Sequence, residues 1–383
     1  MRRLSVVLAL AAGFTSARSA SAQDSVFGIR GLGFLDRSIS GKSGALGGGF
    51  ALFDPEAALN PASLAAWHGT AGWAVAAGSN HSFDAGSGSS SLSATRFPVI
   101  GFAGAIGANV VIAVSASDYL DRNWSVQQTD TVTPRGTPVE VTDQTKSTGG
   151  VTDIRVAMAY RLTGIVLGVG LHALTGSTQT SVNRQFPNDT GYIPFTQNSV
   201  TSYSGVGISF GALLSPGPKF VAAASVRFNG RLRASTSDTA ASVPLPLEAS
   251  VGMYYQPIAG VVATTTVGYS GWSTASAALV AAGQAQARNV WSVGVGLEAA
   301  ILHIGRGQTP LRVGYRWRQL PFAIPSPAGG VSPLSEHALT GGLGMDTAGG
   351  RATVDLGLEV GSRTAGPMSE SFTTAYLGLT IRP

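Results

Sequence analysis

The residues RATVDLGLEVGS, 351 to 362, change character at every step. Ala352, Val354, Leu356, Leu358 and Val360 share one face; Arg351, Thr353, Asp355, Gly357, Glu359 and Gly361 share the other. A period of two over about ten residues is a strand with unlike faces. The pattern returns in LRVGYRWR, where Leu311, Val313, Tyr315 and Trp317 oppose Arg312, Gly314, Arg316 and Arg318. It returns again in DIRVAMAYRL (Asp153 to Leu162) and in WSVGVGLEAAI (Trp291 to Ile301). Read throughout, it predicts fourteen strands: 69–79, 91–106, 109–128, 144–162, 164–183, 197–214, 218–235, 245–257, 259–272, 286–301, 309–319, 335–346, 351–363 and 370–382. The connections between them run long, short, long, short, which a soluble sandwich has no reason to do and a membrane barrel does.

Composition bears on what the apolar face meets. Charged residues are 12% of the chain against roughly 25% in soluble domains. No stretch is apolar for the roughly 20 residues a spanning helix needs. In hydrocarbon every backbone N–H and C=O needs an internal partner, so such strands span only as a closed barrel. The expected fold is therefore all-β, a transmembrane antiparallel β-barrel over 69–383. Trp73, Trp124, Trp272, Trp291, Tyr160 and Tyr376 are candidates for its interfacial belts.

Residues 1–22 read as a signal peptide: Arg2 and Arg3, an apolar run of about eleven, then SASAQ with cleavage after Ala22. The formal charge of +5 falls to about +2 once Arg2, Arg3 and Arg18 leave, and no Lys/Arg run exists, which excludes a nucleic-acid stripe. With no cysteine, thiolate metal sites and cysteine nucleophiles are excluded. No His/Asp/Glu cluster has metal spacing, so neither a metal nor a cofactor is expected.

Residues 23–68 precede the first strand, lack alternation and hold many apolar residues, among which Phe50 and Phe53 are candidates to line a pocket for a hydrophobic ligand. GKSG at 41 to 44 fails as a phosphate loop because the leading position is Asp36 rather than Gly. A fourteen-stranded barrel is wider than its side chains fill, so an apolar segment can bury itself inside as a plug. Gly47, Gly48 and Gly49 would let its backbone approach the wall. Asp54 and Pro55 suit a helix start, predicting a short helix that ends ahead of Pro61.

On GKSGALGGGFALFDPEAALNPASLA, with its Gly-rich run, acidic turn and Asn60-Pro61-Ala62, the chain resembles the FadL family of outer-membrane transporters for long-chain fatty acids and other hydrophobic compounds. VPLPLEASVGMYYQP and the closing LRVGYRWRQLPF to VDLGLEVGSR extend the likeness. The resemblance implies a hatch over 23–68, a lumen for passive uptake, and a setting in the outer membrane among its lipids with both termini periplasmic. It also covers PorV-like barrels that dock secreted or surface proteins in type IX secretion, and that alternative stays open. Inward-facing arginines are expected mostly in ion pairs, with Arg227 and Arg316 as candidates for a ligand carboxylate because a guanidinium holds one bidentately. His172 is expected to face the lumen as a satisfied histidine, and no enzyme is expected.

Overall fold

One antiparallel sheet wraps until its last strand pairs with its first, in a computed structural model that describes residues 25–35, 39–84, 89–188, 191–284, 286–304, 307–325, 331–366 and 368–382. The expected signal segment, 1–22, lies outside the described residues. The fourteen staves are β1 (Ala71–Asp84), β2 (Ser89–Ile106), β3 (Val110–Asp121 and Trp124–Val132), β4 (Val139–Leu162), β5 (Ile165–Gln185), β6 (Phe195–Gly217) and β7 (Phe220–Asn229 and Arg231–Ser235). They continue with β8 (Ala240–Pro244 and Leu247–Ile258), β9 (Val261–Ser270), β10 (Val290–Ile304), β11 (Gly307–Pro325), β12 (Val331–Thr347), β13 (Ala352–Ala365) and β14 (Met368–Ile381). No described helix is long and apolar enough to cross a membrane.

The faces follow the alternation, turned inside out relative to a soluble protein. Leu358 is 51% exposed on the outer face while its neighbour Glu359 is 2% exposed in the lumen. Ile154, Val156, Met158, Tyr160 and Leu162 face out on β4, and Asp153 and Arg155 face in. Three tryptophan and tyrosine positions expected in the belts are instead buried inside: Trp73, Trp272 and Tyr376, with Trp73 stacked on Trp67 at 6.0 Å. Phase also breaks at Gly230. β6 pairs Gly207 with Asn229 but Ser204 with Arg233, an offset of one residue. Because side chains alternate with period two, that single residue turns Arg231 outward and Leu232 inward.

The strands outrun their expected ends on the long-loop side. The loop expected over 129–143 is mostly a hairpin, with Trp124 to Val132 paired to Ser147 to Val139. The connection after β9 folds back as Trp272–Ala275 and α2 (Ser276–Ala281), burying Trp272 and Leu279 with Tyr119, Leu174, Leu232 and Phe322. The short turns and both ends of the strand ring lie at the opposite rim.

Inside the ring run residues 25–35 and 39–67. Phe34–Leu35 pairs with Leu120 and Asp121 of β3, α1 (Gly41–Ala45) lies on β12 to β14, and a 3-10 turn, Pro61–Ala66, lies on β4 to β6. The helix expected to end before Pro61 is absent, and the turn begins there instead. Asn60 is its N-cap, accepting from the Ala62 N–H at 3.0 Å, with Pro61 at the first turn position.

Candidate functional site

The inner segment divides the lumen. On the long-loop side a cavity of about 230 Å³ touches Gly47, Gly48, Ala51, Ala58 and Leu59 of the segment. On the short-turn side a cavity of about 590 Å³ touches Lys42, Phe50, Asp54, Pro55 and Glu56. Residues 42 to 59 are thus a partition with a cavity on each face.

Glycine on both partners lets this partition seat. Gly47 and Gly48 hold φ of 62° and 80°, which L-residues with side chains rarely adopt. The wall supplies the other half of the fit, which the sequence reading missed. A Cβ on Gly314 would lie 2.4 Å from the Leu46 carbonyl carbon, and one on Gly168 would lie 2.3 Å from the Ala62 nitrogen. Gly49 packs closely as well, with a Cβ there 2.9 Å from the Gly296 nitrogen and the Thr264 carbonyl oxygen.

Polar side chains then tie the segment to itself. The Asp54 carboxylate accepts from the Ser40 and Ser43 hydroxyls and from the Glu56 N–H at 3.0 Å. Asn60 is fully buried and donates to the Leu52 carbonyl at 2.8 Å, while Ser63 donates to the Asp54 and Asn60 carbonyls. Burial, then the neighbouring Asp54 charge, push the Glu56 carboxyl up to about 8, with Thr380 donating to it at 2.5 Å. Burial raises Asp54 as well, against the pull of its two serine hydrogen bonds.

Arg316 is held between Glu336 at 2.7 Å and Glu359 at 2.6 Å, within a lattice that continues through Arg318, Arg363 and Glu370. Lys42 reaches that half of the wall at Glu298, 3.1 Å away, and Arg363 and Arg318 lie over the Phe34 ring at 4.3 and 5.0 Å. Arg227 stands across the lumen on β7. Its Nη1 donates to Asp153 at 2.7 Å and its Nε to Asn229 at 2.6 Å, while its Nη2 is buried with no partner. Both arginines line the smaller cavity, as does Glu248, which accepts from Tyr119 and Asn229. Phe50 and Phe53 do not join them. Phe50 faces the larger cavity beneath Lys42 Nζ at 4.3 Å, and Phe53 packs against Tyr254 and Ala223. A turn of the Gly-rich segment, invisible in composition, carries the two rings to the far side of the partition.

The sequence reading also missed a chain of contacts across β4, β5 and β6. His172 Nδ1 meets Asp153 at 2.8 Å and His172 Nε2 meets Ser209 Oγ at 2.8 Å, all three residues being buried. The inward phase of each was legible; their meeting depends on register between strands. Among the described residues no group of His, Asp or Glu is arranged to hold a metal ion.

Family models and curated protein sequences give no match to the chain. Solved structures do, and they place the fold among FadL-type barrels. A Pseudomonas aeruginosa FadL homologue is similar with a TM-score of 0.59 at 13% identity, covering 91% of this chain and 99% of its own. The CymD monoaromatic hydrocarbon channel gives 0.58 at 14% identity, covering 90% and 98%. The Pseudomonas putida toluene transporter TodX gives 0.53 at 13% identity, covering 91% and 98%.

Proposed function

We propose that the protein is an outer-membrane channel for passive uptake of hydrophobic compounds, in which residues 23–68 are the hatch. The observation that carries this reading is the partition: a buried, glycine-seated segment separating two cavities inside a closed barrel. The neighbours of the same fold include a toluene transporter and a monoaromatic hydrocarbon channel, which supports an apolar cargo. The docking role of PorV-like barrels draws no support from these neighbours. A solute enters from the long-loop side, rests in the smaller cavity, and passes when the 42–59 partition shifts toward the short-turn side, where both termini would lie in the periplasm. An acidic compound would place its carboxylate at Arg227, whose Nη2 is unengaged, rather than at Arg316, which two carboxylates already hold.

The chain has no cysteine of its own, which permits a clean test. The Ala45 Cβ lies 3.5 Å from where a Cβ on Gly357 would be, within disulfide reach. Ala45→Cys with Gly357→Cys should abolish uptake of toluene and oleate by intact cells when oxidised and restore it on reduction. Uptake that persists in the fully oxidised protein would overturn the hatch.

A further inference from the structure

Two of the buried polar groups on the β4–β7 wall have nothing to do in a purely structural account. Arg227 Nη2 and Arg155 Nη1 are buried without partners, although leaving a buried donor unsatisfied is costly. Both flank the Asp153, His172, Ser209 chain. In register Arg155 stands opposite His172 on β5, and Arg227 stands opposite Ser209 on β6. Ser209 and Arg227 both line the smaller cavity.

The order of contacts has chemical direction. Asp153 can only accept when ionised, so it takes the proton on His172 Nδ1 and leaves the Nε2 lone pair facing the Ser209 hydroxyl. Arg227 donates to the same Asp153 oxygen at 2.7 Å, which fixes the carboxylate while its second nitrogen remains free. Space for this approach comes from Gly170: a Cβ there would lie 2.6 Å from Ser209 Oγ and 3.4 Å from His172 Nε2. A glycine beside the pair, an oriented imidazole, a serine at a cavity wall and an unengaged cationic donor at the same cavity together make the parts of an acyl-transfer site.

We propose that Ser209 and His172 form an ester-hydrolysing centre in the lumen wall, positioned by Asp153, with Arg227 Nη2 as the donor to the oxyanion. Ser209 Oγ attacks the carbonyl carbon of a carboxylic ester and its proton passes to His172 Nε2. The carbon–oxygen bond to the alcohol breaks as His172 returns that proton to the leaving oxygen. Water then attacks the acyl-serine, again through His172, and releases the carboxylic acid and the free hydroxyl. The cavity of about 230 Å³ beside Ser209 accommodates a short acyl ester. The centre shares its cavity with the proposed channel but needs no transport to act, and it departs from the expectation that His172 is only structural.

The test uses the full-length folded barrel in mild detergent, where no uptake takes place, so its outcome is separate from that of the hatch experiment. A fluorophosphonate probe should add at Ser209, forming an Oγ–P bond with loss of fluoride, located by peptide mass spectrometry. The protein should also hydrolyse p-nitrophenyl butyrate. Ser209→Ala should abolish labelling, and His172→Gln should slow both reactions by about 10²-fold or more. Asp153→Asn should lower kcat with little change in KM, since it disturbs the tautomer and not the cavity. Because the wild-type labelling needs no variant, it decides the matter even if a variant fails to fold. Absence of labelling at Ser209, or butyrate hydrolysis equal in wild type and Ser209→Ala, would overturn the proposal.

Discussion

On β10 to β14 Arg312, Arg316, Arg318 and Arg363 each meet at least one carboxylate, and none of their buried nitrogens lacks a partner. On β4 to β8 the same residue type is left partly unengaged: Arg155 and Arg227 share Asp153 as their nearest acid, and each keeps an unpartnered nitrogen. The first half also grips the inner segment, through Ser25 on Glu370 at 2.6 Å, Lys42 on Glu298 and Arg318 on the Leu35 carbonyl at 3.2 Å. The second half holds the segment too, through Arg161 on the Ala65 carbonyl at 2.8 Å and Ser225 on the Leu59 carbonyl at 2.7 Å, and both halves line the smaller cavity. The difference teaches that charge in this lumen has two uses. Where acids and bases saturate one another they hold the wall and segment rigid; where donors outnumber acceptors the wall can receive something else.

The comparison breaks most severely at Glu336, which is fully buried and accepts from Arg316, Arg318 and Arg363. Glu336→Ala leaves three guanidiniums with reduced compensation and should cost about 3–5 kcal/mol, seen as a lower thermal midpoint of the detergent-solubilised barrel. An unchanged midpoint would mean that the lattice does not hold the wall. On the other half, Arg227→Ala should leave the barrel folded but weaken binding of a carboxylate-bearing hydrophobe by about 1.5–3 kcal/mol, measurable by calorimetry. A neutral hydrocarbon should bind the variant unchanged. If the acid and the hydrocarbon lose equally, Arg227 acts through packing instead.

The partition should respond to overfilling. Gly168→Ala places a methyl against the Pro61–Ala62 backbone, and overpacking of this kind typically costs about 1–3 kcal/mol. The expected result is a looser segment: faster proteolysis between residues 39 and 68 and a higher open fraction in single-channel recordings, with the barrel intact. The same partition should also respond to pH. Glu56 holds its proton up to about 8 in place, against 4.5 for an ordinary glutamate. Seating of the segment therefore gains most below about 4.5, where Glu56 is neutral in either state, and that gain is lost as pH rises through about 8. Channel opening should rise over that window, and Glu56→Gln should flatten the profile.

Legibility differs sharply between levels of structure. Strand number, faces and the location of the inner segment all came from patterns within ten or so residues. Leu356 and Glu359 could be assigned to opposite faces from their neighbours alone, because the pleat forces alternation whatever lies across the sheet. Gly47 and Gly48 announced a tight backbone in the same local way. The wall glycines did not, since Gly168 and Gly314 look like any others until the segment lies against them. The short helix placed ahead of Pro61 failed because Asp54 was committed to Ser40 and Ser43, partners eleven and fourteen residues away.

What the sequence determined by itself was a barrel with an apolar exterior, a polar interior and an apolar segment that needs burying, all consequences of short-range periodicity. Which inward groups meet was decided only by the tertiary structure. Asp153, His172 and Ser209 lie on three strands whose contact depends on the β4–β5 and β5–β6 registers and on the space left by Gly170. A slip of one residue between β5 and β6 would leave every face assignment on β5 intact and carry the Ser209 hydroxyl away from the imidazole.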